Sequence, residues 1–475
     1  MCQASGEPAR GRSTRAGWTS PHVGGPRSRC AGRRDLLRWP RGVRGARTPP
    51  PGRRRARSRR EVAVDGRVVV VGAGLAGART VEALRTGGYA GPVALIGTET
   101  ERPYERPPLS KGYLQGSDER DAAFVHAPAW YAEHDVDLRT GTTVTALDLA
   151  AGEVLDATGV RTPFTHVVLA TGSEPRRLHV PGAHLDGIAY LRTLPDSDRL
   201  RAALTAGRRV VVVGGGWIGL EVAAAARAAG CEVAVLVRDV LPLLAVLGPE
   251  LAALFADLHR EHGVDLRTRA EVAEILPAAD GAHVGAVALT DGTRLPADLV
   301  VVGIGASPRT ALAESAGLRV DDGVVVDAHL RASDPRVLAV GDIARAAHPF
   351  LGTHVRVEHW ATALHQPETA AATILGRDEP YDRLPYFFTD QYDLGMEMVG
   401  HVTRGGYDEV VVRGDLAARE LVAFWRRDGR VVGGMNVNVW DVVDDVQALV
   451  RSRAVVDRDR LADPDVPLAS LVADA

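Results

Sequence analysis

A run of β-branched residues that enters a turn of three glycines and leaves it as a helix occurs twice in this chain, and that duplication limits the fold more than any other feature. In the first copy, Val68-Val69-Val70-Val71 ends at Gly72-Ala73-Gly74-Leu75-Ala76-Gly77 and continues as Ala78 to Arg85. A second apolar run, Val93 to Ile96, follows Gly87-Gly88 and closes a βαβ unit of about thirty residues. In the second copy, Arg209 to Val213 leads into Gly214-Gly215-Gly216-Trp217-Ile218-Gly219, an Ala-rich helix over Leu220 to Ala229, and a strand over Glu232 to Leu236. Glycines at this spacing allow a turn tight enough for a diphosphate to sit on the helix N-terminus, where free N–H groups and the helix dipole face negative charge. A plain strand–helix turn needs no such triplet.

Further buried-strand signals also end in glycine: His166 to Ala170 before Thr171-Gly172, Leu299 to Val302 before Gly303-Ile304-Gly305, and Val337 to Val340 before Gly341-Asp342. From Pro385 onward the pattern becomes alternating short runs, at Glu409 to Arg413, Leu421 to Arg426 and Val431 to Gly434, followed by a helix from Asp444 to Arg453. The fold class expected is α/β, with two Rossmann-like dinucleotide-binding domains and a small C-terminal α+β domain. The expected division is a leader over 1–65, a discontinuous FAD-binding domain over 66–178 and 303–384, a NAD(P)H-binding domain over 179–302, and a C-terminal reductase domain over 385–475.

Composition excludes several classes. Residues 1–60 hold seventeen Arg against Glu7 and Asp35, a local +15 in a chain of formal net charge −3, which leaves −18 for the rest. That Pro-, Gly- and Arg-rich leader carries no apolar periodicity, so disorder is expected. Arg33-Arg34-Asp35-Leu36-Leu37 is followed by Trp39-Pro40-Arg41 and lacks the apolar segment of an export signal. No nucleic-acid partner is expected, and no apolar run reaches the roughly 18 residues of a membrane span. Cys2, Cys30 and Cys231 form neither a disulfide framework nor a zinc spacing, so no metal is expected and a reducing cytoplasm fits best. Of the 57 basic residues, Lys111 alone is Lys, which makes it a candidate for a position where Arg does not substitute, chance retention being the alternative.

Two dinucleotide units in one chain imply that electrons pass between two bound nucleotides, and the usual pair is FAD with NADH or NADPH. Disulfide reductases and peroxidases on this plan need a cysteine facing the flavin. Here the corresponding segment reads Leu109-Ser110-Lys111-Gly112, and Cys231 falls behind the second helix as a structural thiol. Reduced flavin must then pass electrons directly to an acceptor, and a one-electron iron–sulfur carrier matches that chemistry.

Gly97 to Lys111, with its Arg106-Pro107-Pro108-Leu109-Ser110-Lys111 end, together with Ala170 to Arg176, Gly214 to Glu221, Val340-Gly341-Asp342 and Glu358-His359-Trp360, resembles the FAD-dependent NAD(P)H ferredoxin and rubredoxin reductases. This is the group that also holds dioxygenase reductase components and apoptosis-inducing factor. The resemblance runs in order over about residues 66 to 455.

It implies that Gly72, Gly74, Leu75, Ala76 and Gly77 hold the FAD diphosphate, with Ala170, Thr171, Gly172, Arg176, Gly341, Asp342, Glu358 and His359 around the rest of the cofactor. Arg106 and Lys111 approach the flavin and Trp360 lies against it. Lys111 pairs with Glu221, and these two are the expected catalytic residues. Gly214, Gly216, Trp217, Ile218, Gly219, Glu221, Gly303 and Gly305 would receive NAD(P)H.

Two departures stand out. The acid that binds adenosine ribose in the first unit falls on Thr98, with Glu99 one place later as its substitute. In the second unit the NAD-selecting acid falls on Val237, followed by Arg238, which favours NADPH, although Leu244 stands where a second phosphate-binding Arg is expected. Dual nucleotide use leaning to NADPH is the expectation. The acceptor implied is an iron–sulfur ferredoxin, with rubredoxin as the alternative carrier, docking on Arg404, Arg413, Arg426 and Arg427, and the chain acts as a monomer or homodimer. A redox-signalling flavoprotein, or an NAD(P)H oxidase without a ferredoxin partner, is the alternative reading.

Overall fold

The computed structural model describes residues 66–473, and the Arg-rich leader lies outside them. Three five-stranded sheets organise this part of the chain. In the first, all strands are parallel in the order Val337–Ala339, His166–Leu169, Val68–Val71, Val93–Ile96 and Val136–Arg139. Val68, Val69, Val70 and Val167 to Leu169 have no exposed surface, because helices and loops cover both faces of a parallel sheet, and the strands read as unbroken apolar runs for that reason.

The second sheet repeats the plan, with Asp265–Thr268, Glu232–Val237, Arg209–Val213, Leu299–Val302 and Ile188–Ala189 in order and parallel. The edge strand of the first sheet, Val337–Ala339, thus comes after the whole second sheet in sequence. The chain leaves the first sheet beyond Leu169, builds the second, and returns. In each sheet the strand order reverses beside the glycine-turn strand, so each turn opens at a topological switch point, where open α/β sheets bind ligands.

The third sheet is antiparallel, ordered Tyr386–Gln391, Leu394–Gly400, Arg430–Val437, Glu420–Arg427 and Glu409–Asp415. Its outer face packs on the helix Val443–Ser452 through Val446, Leu449 and Val450. Its other face joins the core of the second sheet, where Met396, Trp425 and Met435 meet Phe255 and Leu247. Every strand expected from the sequence is present, with ends within three residues. The helix Trp360–Ile374, which has Pro367 inside it, and two three-stranded antiparallel ribbons, over residues 144–163 and 272–296, were not anticipated.

Candidate functional site

The two glycine turns are built alike. Gly72 has φ +114°, and a Cβ there would lie 2.2 Å from the Ala170 carbonyl oxygen. One on Gly77 would lie 2.0 Å from the Gly72 oxygen, while Gly74 faces open space. In the second turn, Gly214 has φ +115° with the Gly303 oxygen 2.3 Å from its would-be Cβ. Gly219 meets the Gly214 oxygen at the same distance, and Gly216 has nothing nearer than 4.0 Å. In both, the first glycine makes the turn, the third lets helix meet strand, and the middle one leaves the backbone bare. The helices Leu75–Thr86 and Trp217–Ala228 start at Gly74 and Gly216 with no side-chain cap and no acidic residue in the first turn. Their leading N–H groups are thereby left for an outside anion.

In front of the first turn lies a cavity of about 710 Å³, within the size range of small-molecule and cofactor sites. Gly72, Gly74, Leu75 and Ala76 line it, as do Thr98, Glu99 and Arg106. Ala170, Thr171, Gly172, Gly341, Asp342, Glu358, His359, Trp360 and Lys111 also line it. The second unit contributes Trp217, Ile218 and Glu221, and the C-terminal sheet contributes Tyr386, Phe387 and Phe388. Gly77, Arg176, Gly214, Gly216, Gly219, Arg238, Gly303 and Gly305 are not on this cavity. The Arg176 guanidinium donates instead to the Ala306 oxygen at 3.1 Å and Ser307 Oγ at 3.3 Å.

At the end away from the glycines, Lys111 and Glu221 form a buried ion pair with 8% and 3% of their surface exposed. Ser110 Oγ also donates to the Glu221 carboxylate, and Thr389 Oγ1 does so at 2.6 Å. The Lys111 ammonium stands 5.4 Å from the centre of the Phe388 ring. Glu221 thereby ties its own helix to the first unit and to the C-terminal sheet.

Near the other end, Glu99 accepts from Arg106 at 3.0 Å and from the Tyr104 hydroxyl, whose pKa burial pushes up to about 12. Thr98 Oγ1 bonds only to Thr143, at 3.2 Å. Asp342 caps no helix. It accepts from Arg192 at 2.9 Å, and burial beside Arg106 lowers the Arg192 pKa. Gly341, at φ +77°, lies against Ala76, with 3.1 Å between a would-be Cβ and the Ala76 methyl. Trp360 Nε1 donates to Glu105 at 3.3 Å, and its ring meets Phe388 edge-on at 5.9 Å. Burial drives His359 down to about 4, so it is neutral near pH 7.

Sequence reasoning missed Ser110 and Thr389 as partners of Glu221, and Arg192 and Arg309, which line the cavity, escaped every motif. Arg192 sits directly before Thr193, which forms a capping box with Asp196; that Thr-x-x-Asp signature was the available signal that the preceding residue is fixed in place. The expected docking patch needs correction. Arg426 is 6% exposed and bonds to Glu409 at 2.6 Å and to the Val456 oxygen at 2.7 Å. Arg413 holds the Pro464 and Val466 oxygens at 3.0 and 2.7 Å. Arg404 and Arg427 remain exposed.

Residues 66–366 match the Pyridine nucleotide-disulphide oxidoreductase family and residues 386–472 the Reductase C-terminal family. Putidaredoxin reductase of Pseudomonas putida is 39% identical over 86% of this chain and 97% of its own length. The ferredoxin–NAD(+) reductase component of the anthranilate 1,2-dioxygenase system of Burkholderia cepacia is 42% identical over 85% of this chain and 98% of its own length. Among solved structures, the covalent putidaredoxin reductase–putidaredoxin complex matches with a TM-score of 0.82, at 39% identity, over 86% of this chain and 99% of the other. With these matches added to two glycine turns built alike, the chain belongs to the pyridine nucleotide-disulphide oxidoreductase family and carries that family's companion reductase C-terminal domain.

Proposed function

We propose that this protein is an NAD(P)H:ferredoxin oxidoreductase that uses FAD to supply single electrons to an iron–sulfur ferredoxin serving a monooxygenase or dioxygenase system. The observation that carries this reading is one cavity shared by the first glycine turn, the second unit's helix start and the C-terminal sheet, with the Lys111–Glu221 pair where the three meet. Bound FAD supplies the conversion of a two-electron hydride donor into a source of single electrons.

The residues present fit that cofactor. Any side chain at Gly72 or Gly77 would collide with backbone, whereas the bare Gly74 and the uncapped helix start present N–H groups to a diphosphate. Gly77 acts here through packing and not by contact. Glu99, held by Arg106, takes the place of the missing acid at Thr98 toward the ribose. Asp342, steadied by Arg192, accepts from the sugar-alcohol chain, while Ala170, Thr171, Gly172, Glu358 and His359 close the walls. Trp360 and Phe388 bound the ring end with Lys111, whose fixed ammonium stabilises negative charge arriving there. Arg176 positions the turn around Gly305. Gly214, Gly216, Trp217, Ile218 and Gly219 receive the nicotinamide nucleotide, with Gly303 and Gly305 opposite and Arg238 at the adenosine end. Residues 66–178 with 303–384, 179–302, and 385 onward form the three working domains.

The buried Val237 packs its methyl groups against Gly215, which leaves no carboxylate at that register to prefer NADH, and the exposed Arg238 follows. Use of both nucleotides, with NADPH favoured, follows from that arrangement. A thiol relay is not supported, because Cys231, the cysteine among the described residues, is buried, bonds to the Thr205 oxygen and is not on the cavity. Coupled cytochrome c reduction by the FAD-loaded protein, with NADH and NADPH in parallel and with and without added ferredoxins, tests the proposal. Strong ferredoxin-dependent stimulation is expected. Slow, ferredoxin-independent reduction with every carrier would overturn it.

A further inference from the structure

A line of buried polar side chains leads away from Glu221 and plays no part in the chemistry described so far. Thr389 Oγ1 donates to Glu221 at 2.6 Å, and Gln391 Nε2 lies 3.2 Å from Thr389 Oγ1. Gln391 Oε1 lies 2.9 Å from His259 Nε2, and His259 Nδ1 lies 3.3 Å from the Tyr392 hydroxyl. Thr389, Gln391 and His259 have no exposed surface, whereas Tyr392 reaches half-buried territory at the rim. The line runs from the second unit's helix through the first strand of the C-terminal sheet to the helix Pro249–Glu261.

Its direction is set by the carboxylate at its inner end. An ionised Glu221 only accepts. The single Thr389 proton therefore goes to Glu221, and Thr389 must accept from the Gln391 amide nitrogen. That turns the Gln391 oxygen toward His259, so His259 must carry its proton on Nε2. The bare Nδ1 then accepts from Tyr392. Each bond points the same way, and each donor is polarised by the next, which strengthens such a chain where little water screens it.

Tyr392 provides a separate indication. It has φ +57°, a conformation uncommon for a bulky side chain, in the two-residue turn between strands Tyr386–Gln391 and Leu394–Gly400. Its ring stacks on His262 at 3.7 Å and 14°. Strain of this kind persists where surrounding contacts over-determine it. The two-residue turn calls for such a φ, and the stacking on His262 holds the hydroxyl beside His259.

We infer that Thr389, Gln391, His259 and Tyr392 are positioning residues that fix the Glu221 carboxylate, and through it the Lys111 ammonium, for the reduction step. The inference rests on the proposed function, because it gives Lys111 its task. A merely structural role would affect stability alone, since the same chain also joins three elements.

The test uses full-length, FAD-loaded protein, with anaerobic single-turnover bleaching of the flavin by NADPH and no acceptor. Thr389→Val, which keeps the shape and removes the hydroxyl, is expected to slow bleaching at saturating nucleotide about tenfold, the factor that about 1.4 kcal/mol makes in a rate. The half-saturating NADPH concentration stays within about twofold of wild type, and Thr389→Ser restores the rate. Tyr392→Phe, at the half-exposed outer end, gives a smaller loss of the same kind and serves if the valine protein fails to fold. Nuclear magnetic resonance on the FAD-loaded protein with isotope-labelled histidine should find His259 neutral with its proton on Nε2. Wild-type bleaching rates in Thr389→Val and Tyr392→Phe, or a proton on Nδ1, overturn the inference while leaving the proposed function standing. If the wild-type flavin is not bleached by either nucleotide, it is the proposed function that fails.

Discussion

Replacing Lys111 by Met removes a charge and leaves most of the side-chain volume, and the structure separates its two consequences. Glu221, 3% exposed, would keep the Ser110 and Thr389 hydroxyls and lose the cation that pairs with it among the described residues. Stranding one member of a buried pair costs about 3 to 5 kcal/mol, and with two donors remaining the lower end, about 3 kcal/mol, is expected. Changing Glu221 to Gln in the same protein takes the stranded charge away while its amide oxygen still accepts from both hydroxyls. Lys111→Met/Glu221→Gln should therefore recover to within about 1 kcal/mol of wild type, the worth of an ordinary hydrogen bond. Catalysis should not recover. With no ammonium at the ring end, flavin bleaching by NADPH is expected to fall on the order of 10²-fold in single and double variants alike, as when one preorganised donor is lost. Urea unfolding of the FAD-loaded proteins and anaerobic stopped flow read the two quantities. A double variant as unstable as the single one refutes the buried-charge argument, and a wild-type bleaching rate in either refutes the role given to the lysine.

Gly77→Ala puts a methyl group 2.0 Å from the Gly72 oxygen and 3.0 Å from Leu95, so the helix must lift from its strand; purified protein should retain little FAD, which the visible absorbance per chain measures, and full occupancy would exclude the packing account. Arg238→Ala should raise the KM for NADPH about tenfold, the loss of one charge-assisted contact, and leave that for NADH nearly unchanged; equal changes would remove Arg238 from phosphate recognition. Arg426→Ala should destabilise by about 2 kcal/mol or more, because its guanidinium is buried on Glu409 and two backbone oxygens. Arg427→Glu should leave stability alone and weaken ferredoxin turnover in a salt-dependent way, and identical behaviour of the two variants would contradict the structure. His259 and His359 are both lowered by burial from 6.5 to about 4. The unfolded chain therefore binds protons that the folded one refuses, so stability is full above pH 6.5 and declines as pH falls from there toward 4. A urea midpoint that stays flat from pH 7 to 5 would show those rings to be protonated without penalty.

The parallel strands were legible because burial on both faces demands unbroken apolar runs, as in Val68–Val71 and Leu299–Val302. Glycine fingerprints were legible because each glycine answers a separate steric demand. The two antiparallel ribbons escaped because their strands are short and half-exposed, and the helix Trp360–Ile374 escaped because Pro367 reads as a break although the helix continues through it. Thr389 and Ser110 stand 168 and 111 residues from Glu221, and a hydroxyl at that separation leaves no periodic trace in a sequence.

Arg426 shows why alternation alone misleads. Strand Glu420–Arg427 pairs regularly with Arg430–Val437 until the register shifts between Trp425 and Arg426. Trp425 is fully buried against the Leu247 oxygen on one face of the sheet, and Arg426, the next residue, lies on the other face against its cross-strand partner Glu409 and the Val456 carbonyl. Both faces of this sheet are covered, by the core of the second sheet on one side and the helix Val443–Ser452 with the C-terminal segment on the other, so alternation marks no exposed face here. The guanidinium that the sequence reading assigned to a docking face instead ties the edge of the sheet to the C-terminal segment, while Arg427, one residue on, is exposed.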